Sequence, residues 1–261
     1  MAERSEAMDS IVETIKTVFW ALIIAGVFRT LFFQPFWIPS SSMKDTLLIG
    51  DFLFVNKMAY GYSAYSCPFF KCPISGRLFG SEPVRGDVVV FRHPVNGQDY
   101  IKRLIGMPGD RIQMKEGVLF INDRPAPQEP DSIFIETYER QGPERGYPQC
   151  ANIGVAIDGD CIKEKLIETL PEGKRHSVLN IRVSHTDNTA VYVVPNDNFF
   201  FMGDNRDNST DSRVPQAALG VGYVPRENLI GRANRVVFSS AGRSMLYFWT
   251  WRSDRYFKRI E

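Results

Sequence analysis

One stretch near the start decides what kind of molecule this chain can be. From Thr17 to Phe28 the sequence reads TVFWALIIAGVF without a charge, and after Arg29 it continues TLFFQPFWIP, again nearly all apolar. Read as a helix from about Val18 to Phe33, at about 1.5 Å per residue, it spans roughly 24 Å. That is a little short of the ~30 Å hydrocarbon core of a bilayer, with Phe36 and Trp37 placed as interfacial residues just beyond it. Arg29 falls near the helix end, where a long side chain reaches the headgroups at modest cost. A buried core helix with one paired arginine and a cleaved secretory signal are the competing readings; the second lacks an A-x-A site in a polar setting after the run. The flank before it carries Arg4 and Lys16. Acidic residues count little in setting orientation, so the N-terminus is expected inside and the body outside.

The rest of the chain has the composition of a folded protein. Its 261 residues hold 31 Lys+Arg against 30 Asp+Glu, a balance that gives no basic footprint for nucleic acid. Three histidines (His93, His176, His185) and four cysteines (Cys67, Cys72, Cys150, Cys161) leave little material for a metal site, and neither metal nor cofactor is expected. Four cysteines allow three pairings. Their C-x4-C and C-x10-C spacings lack the pattern of a zinc finger, so disulfides outside the cytoplasm, or free thiols, are the expected states.

After the anchor the pattern turns to strands. Phe52–Val55, Asp87–Phe91, Tyr100–Ile105, Arg111–Met114, Val118–Ile121, Ala190–Val194, Phe199–Met202 and Arg235–Ser239 are rich in β-branched and aromatic residues, separated by Gly, Pro, Asn and Asp. Lys115-Glu116-Gly117 reads as a hairpin turn. No amphipathic helix of four turns stands out, so the body after the anchor is expected to be mostly β, a barrel or packed sheets. The stretch from about Pro125 to His185 is more polar and reads as an insertion or small second domain between two better-patterned halves. The divisions are 1–36 for the tail and anchor, 37–114 and 191–261 for the two parts of the core, and 115–190 for the insertion. The C-terminal SMLYFWTWRSDRYFKRI suits either a membrane interface or ordinary packing on the body.

Three segments hold residues that could do chemistry. IPSSSMKDTLLIGD (38–51) places three serines directly after the anchor; an extended chain from Phe36 to Ser42 covers at most roughly 20 Å, so they lie near the membrane surface. In DYIKRLIGMPGDRI (99–112), strand alternation puts Tyr100, Lys102 and Leu104 on one face. A lysine there is either a solvating charge on an edge strand or a desolvated amine whose pKa falls far enough to accept a proton near neutrality. A neutral amine facing a serine hydroxyl is the Ser-Lys form of nucleophilic catalysis. FMGDNRDNSTDSR (201–213) is a polar loop without the ligand spacing of an EF-hand, and an Asp–Arg network holding it rigid is the physical alternative.

Taken in order, RTLFFQPFWIP, PSSSM with TLLIGD, RGDVVVFRHP (85–94), YIKRLIGMPGD, MGDNRDNSTDSR and GRA (Gly231–Ala233) resemble the bacterial type I signal peptidases, membrane-anchored Ser/Lys endopeptidases that remove signal peptides from exported preproteins. The resemblance implies Ser42 as nucleophile, Lys102 as general base, and the Ser40 hydroxyl with the Ser42 N–H as the oxyanion hole. It implies that Ser209 orients the lysine amine and that Asp211 with Arg213 braces the loop. Phe36, Ile38, Met43, Leu47, Tyr100 and Ile101 match positions that wall shallow apolar pockets for the small residues of an A-x-A site. The fold the resemblance implies is mostly β: an N-terminal transmembrane helix followed by a β-rich catalytic domain with an inserted accessory β-domain at about residues 115 to 190. Ser41 stands where the family often has glycine. The implied partners are preprotein signal peptides and the lipid bilayer, and the implied location is a single-pass protein of the bacterial inner membrane with its catalytic domain on the periplasmic side. A Ser-His-Asp hydrolase is disfavoured because no histidine falls in the three segments. A membrane-tethered β-domain that binds exported proteins without cutting them is the alternative of another class. A self-cleaving soluble repressor would need a DNA-binding head where the anchor lies.

Overall fold

The computed structural model describes residues 2–67, 71–242 and 245–260. Helix α1 (Ala2–Leu31) opens the chain. It is followed by β1 (Phe33–Trp37), β2 (Asp51–Asn56), β3 (Val88–Arg92), β4 (Asp99–Gly106), β5 (Arg111–Lys115), β6 (Val118–Ile121), β7 (Arg124–Pro125) and β8 (Gln128–Thr137), then by β9 (Asp160–Thr169), β10 (Arg175–Asn180), β11 (Tyr192–Val193), β12 (Asn198–Met202), β13 (Val224–Pro225) and β14 (Leu229–Ser239). The protein is mostly β, as its patterning requires, and among the described residues the body carries only short 3₁₀ turns besides its strands.

The helix is longer than its uncharged centre suggested and ends earlier. Met8–Leu31 is the apolar part long enough to cross a membrane, and it is exposed along its length; 24 residues rise about 36 Å, enough for the bilayer core. Beyond Leu31 the chain changes geometry rather than continuing as helix. Phe36 and Trp37, expected as interfacial residues, lie on β1, which pairs antiparallel with β2 from Phe33↔Asn56 to Trp37↔Phe52. Pro35 fits there because β1 is an edge strand and its missing N–H costs no ladder bond. The Tyr62 hydroxyl donates to the Leu31 carbonyl (2.6 Å) and the Lys57 N–H to that of Phe32 (3.1 Å), tying the helix end to the body.

Three sheets follow. The large one runs β1-β2-β14-β3-β4-β12-β13, the second β11-β5-β6-β7 and the third β10-β9-β8. The second is built from two hairpins whose two-residue turns, Glu116-Gly117 and Asn122-Asp123, all have positive φ, the geometry that matches strand twist. The third fills the polar stretch read as an insertion. Its strands were not visible in the sequence because β8 is an edge strand exposed on both faces, so it lacks apolar alternation. β14 also runs six residues further back than its expected start at Arg235.

The cysteines pair locally, Cys67 with Cys72 and Cys150 with Cys161. Ser244 of the C-terminal aromatic stretch lies outside the described residues, as do Met1 and Glu261. Of the remainder, Trp251 stacks on Phe238 (4.3 Å) and Phe238 on Phe52 (4.9 Å), while Leu246, Phe248 and Trp249 stay exposed.

An apolar core of Leu53, Val55, Val88, Val90, Ile230 and Val236 lies under the segment between β1 and β2. Gly231 is where β14 passes β2 most tightly: a Cβ there would stand 2.5 Å from the Asn56 carbonyl oxygen and 2.7 Å from Val55 Cγ1. Gly231→Ala is therefore expected to lower stability by about 1–3 kcal/mol, read as a fall in the urea midpoint of the detergent-solubilised protein at unchanged slope; an unchanged midpoint would mean the strands separate freely there.

Candidate active site

Ser40 to Lys44 turn out of β1 and sit on the core through Ile38, Met43 and Leu47, each almost fully buried. Burying these apolar side chains anchors the turn on both sides of Ser42. From the opposite wall, β4 delivers Lys102, paired in register with Val89 of β3. The Lys102 Nζ lies 2.6 Å from Ser42 Oγ and 3.0 Å from the Ile101 carbonyl oxygen. Both side chains are buried, Ser42 at 7% and Lys102 at 4% exposure. Ser40 Oγ is 3.4 Å from Ser42 Oγ. Among the described residues the Ser42 N–H donates no hydrogen bond, so it is available to an incoming acceptor.

The amine is the site's central electrostatic feature. Burial pushes Lys102 down from the ordinary lysine value to about 8, against the opposing pull of Asp211 and Asp204. Each of those carboxylates is already matched. Asp204 accepts two bonds from Arg103, Nε to Oδ1 and Nη2 to Oδ2, both 2.8 Å, and one from Thr46 Oγ1 (2.5 Å). Asp211 accepts from Arg213 Nε and Nη2, both 2.9 Å, and from the Gly203 N–H at 3.0 Å. Burial alone would raise both carboxyls, but the bidentate guanidinium beside each holds it below the carboxylate range. Because the arginines absorb the negative charge, desolvation dominates at the lysine.

The loop after β12 locks onto the serine turn. The Asn205 N–H donates to the Ser42 carbonyl (3.1 Å), Asn205 Nδ2 to that of Ser41 (3.1 Å), and Asn208 Nδ2 to Ser41 Oγ (2.6 Å). Gly203 is required for this approach, since a Cβ would stand 2.6 Å from the Ser42 carbonyl oxygen and 2.3 Å from Ser209 Oγ. Among the described residues Ser209 is not bonded to the lysine; its hydroxyl is buried beside Gly203 and lies against Asp211, whose carboxyl it helps to hold down. Phe36, Ile38, Tyr100 and Ile101 line a cleft of about 570 Å³ that opens at Ser42 and Lys102, whereas Met43 and Leu47 lie beneath it in the core.

His93 is buried, its Nδ1 accepting from the Val95 and Asn96 N–H groups and its ring packed on Tyr100 at 4.5 Å. It bonds neither Ser nor Asp among the described residues, so it forms no Ser-His-Asp triad with Ser42. Sequence reasoning missed Arg103, Asn205, Asn208 and Lys44. Lys44 Nζ bonds Glu136 of β8 and Gln141 Oε1 (2.7 Å), and Glu136 in turn bonds Lys163 of β9, which joins the third sheet to the serine turn.

A sequence profile of the family described as "Signal peptidase, peptidase S26" matches residues 11–238. Proteins named Signal peptidase I from Rickettsia typhi and Rickettsia prowazekii are 41% and 40% identical to this chain, each over 87% of it and 82% of the relative. A crystal structure of a signal peptidase I from Enterococcus faecalis V583 aligns with 58% of this chain and 97% of its own at 24% identity, but its TM-score of 0.30 is too low to bear on the fold.

Arg103→Ala leaves Asp204 buried without its guanidinium and is expected to cost about 3–5 kcal/mol. Chemical denaturation of the full chain checks this, and a loss below about 1 kcal/mol would contradict the pairing.

Proposed function

The chain belongs to the peptidase S26 family of signal peptidases, and we propose that it is a membrane-bound serine endopeptidase that cuts signal peptides from exported preproteins with a Ser42/Lys102 dyad. The observation that carries this reading is the 2.6 Å approach of a buried lysine amine to a serine hydroxyl at the end of an apolar-walled cleft.

The mechanism follows from the roles these groups can take. Lys102, neutral, accepts the Ser42 proton as Oγ attacks the scissile carbonyl. The developing oxyanion is met by the Ser42 N–H and the Ser40 hydroxyl, interactions worth about 2.7–4 kcal/mol per donor. Lys102 then passes its proton to the leaving amine, and the same amine activates the water that hydrolyses the acyl-enzyme. Ser209, whose buried hydroxyl lies against Asp211, orients the amine, and the Asp211–Arg213 pair holds the loop that carries it. Phe36, Ile38, Tyr100 and Ile101 wall shallow pockets that admit small side chains before the bond, the A-x-A preference, with Met43 and Leu47 as their floor.

In the same reading, the tail and membrane anchor end with α1 at Leu31 rather than at residue 36, β1 joins 37–114 and 191–261 in the catalytic core, and 115–190 form the accessory unit. The two disulfides favour an oxidising compartment. With the Met8–Leu31 helix as anchor, that suits a single-pass protein of the bacterial inner membrane whose body lies on the periplasmic side.

Ser42→Ala is expected to abolish preprotein cleavage while leaving binding intact, and Lys102→Met to slow it by at least about 10²–10⁴-fold; full cleavage by Lys102→Met would refute the dyad. The base works only when deprotonated. The wild-type rate should therefore rise with pH through about 8, reaching about a tenth of its plateau one pH unit below that midpoint. A rate independent of pH from 6 to 9 would contradict the assignment.

A further inference from the structure

The cleft has a second wall that the dyad does not use. It comes from the connection between β8 and β9, which supplies Gln141, Glu144, Tyr147 and Gln149 to the cleft lining. This wall is held from several sides. Gln141 and Gly146 pair across its tip (2.9 Å), Tyr147 stacks on Tyr138 (4.9 Å), and the Cys150–Cys161 disulfide closes its base. It is also seated on the serine turn. Lys44 bonds Gln141, Gln149 reaches Asn208 at 3.4 Å, and a Cβ on Gly142 would stand 2.8 Å from the Pro39 carbonyl oxygen.

These contacts fall at Pro39 and Lys44, on either side of Ser42 in the chain, and at Asn208, which holds Ser41. If small apolar side chains before the bond occupy the Phe36–Ile38–Ile101 wall, the chain after the bond leaves past Ser42 along the polar wall. Three charged side chains line the cleft: Lys102, Asp99 and Glu144. Asp99 is matched by Arg92 at 3.1 Å, whereas Glu144 makes no ion pair among the described residues.

We propose that the Gln141–Gln149 loop of the inserted unit binds the first residues of the mature protein, and that Glu144 makes this site favour cationic over acidic side chains there. The proposal rests on the dyad reading of the same cleft. It gives the inserted sheet a role in substrate recognition, carried through Lys44 and Glu136, rather than in the chemistry itself.

The test uses the full-length protein in detergent and two preproteins that differ only in carrying Lys or Glu at the first two positions after the cleavage site. Wild type should favour the lysine form in kcat/KM by up to about fivefold, the range of one partly exposed charge pair, and Glu144→Gln should bring the ratio close to one. Moving the same charges ten residues downstream should erase the preference. Equal cleavage of both forms by wild type, or a ratio unchanged in Glu144→Gln, would overturn the loop assignment with the dyad intact. Failure of wild type to cut either form would overturn the dyad reading and this one with it.

Discussion

The site depends on keeping one lysine amine out of water beside a serine hydroxyl. An isolated buried ammonium is costly, so a buried lysine sheds its proton unless counter-charges retain it. Two carboxylates do stand near Lys102, and either one left unmatched would hold the ammonium form. Arg103 and Arg213 offset most of that pull, one on the same strand as the lysine and one on the loop after β12. The positions next to the base are thus as much part of the chemistry as the base itself, although neither arginine faces the cleft. Both pairs also fix backbone: Arg103 Nη1 donates to the Gly86 carbonyl (2.8 Å) and Arg213 Nη2 to that of Arg206 (2.6 Å).

The same economy shapes the serine turn. Ser42 must be exposed enough to meet a substrate and fixed enough to meet Lys102. Met43 and Leu47 anchor it in the core, the Asn205 and Asn208 amides hold Ser41 and Ser42 from one side, and the Lys44–Glu136–Lys163 chain holds it from the other. Burial lowers Lys44 despite Glu136, and the two lysines keep the Glu136 carboxyl below its ordinary value despite its own burial. Removing the third sheet would leave Lys44 buried without its counter-charge. A short insertion-borne sheet is therefore bound energetically to the nucleophile.

Much of this was legible in the sequence, for reasons that differ by element. Ser42 and Lys102 stand in short motifs, and strand alternation already offered Lys102 a buried position. The β5–β6 hairpin announced itself through Glu116-Gly117. Arg103 was hidden because simple alternation separates it from Lys102's face, and its partner Asp204 comes 101 residues later. β1 was hidden because an unbroken apolar run passes from helix to strand, with only Pro35 marking the change. Strand β8 was hidden by exposure on both faces, and β9 and β10 by polar residues at buried positions, Lys163, Glu168 and His176 among them. The cleft wall at Glu144 and Tyr147 had no sequence signal, since its position depends on the long-range contacts of Gln141, Gly142 and Gln149.

The central claim is that the Lys102 amine gives up its proton far more easily than an ordinary lysine, near pH 8, because it is buried and its neighbouring carboxylates are spoken for. Its direct measurement is the titration of that amine by NMR in 13C-lysine-labelled protein, assigned by the signal lost in Lys102→Arg. A midpoint near 8 is the result this structure requires. A midpoint near the ordinary lysine value of about 10.4 would mean that the amine is a resident cation, and the dyad would have no base.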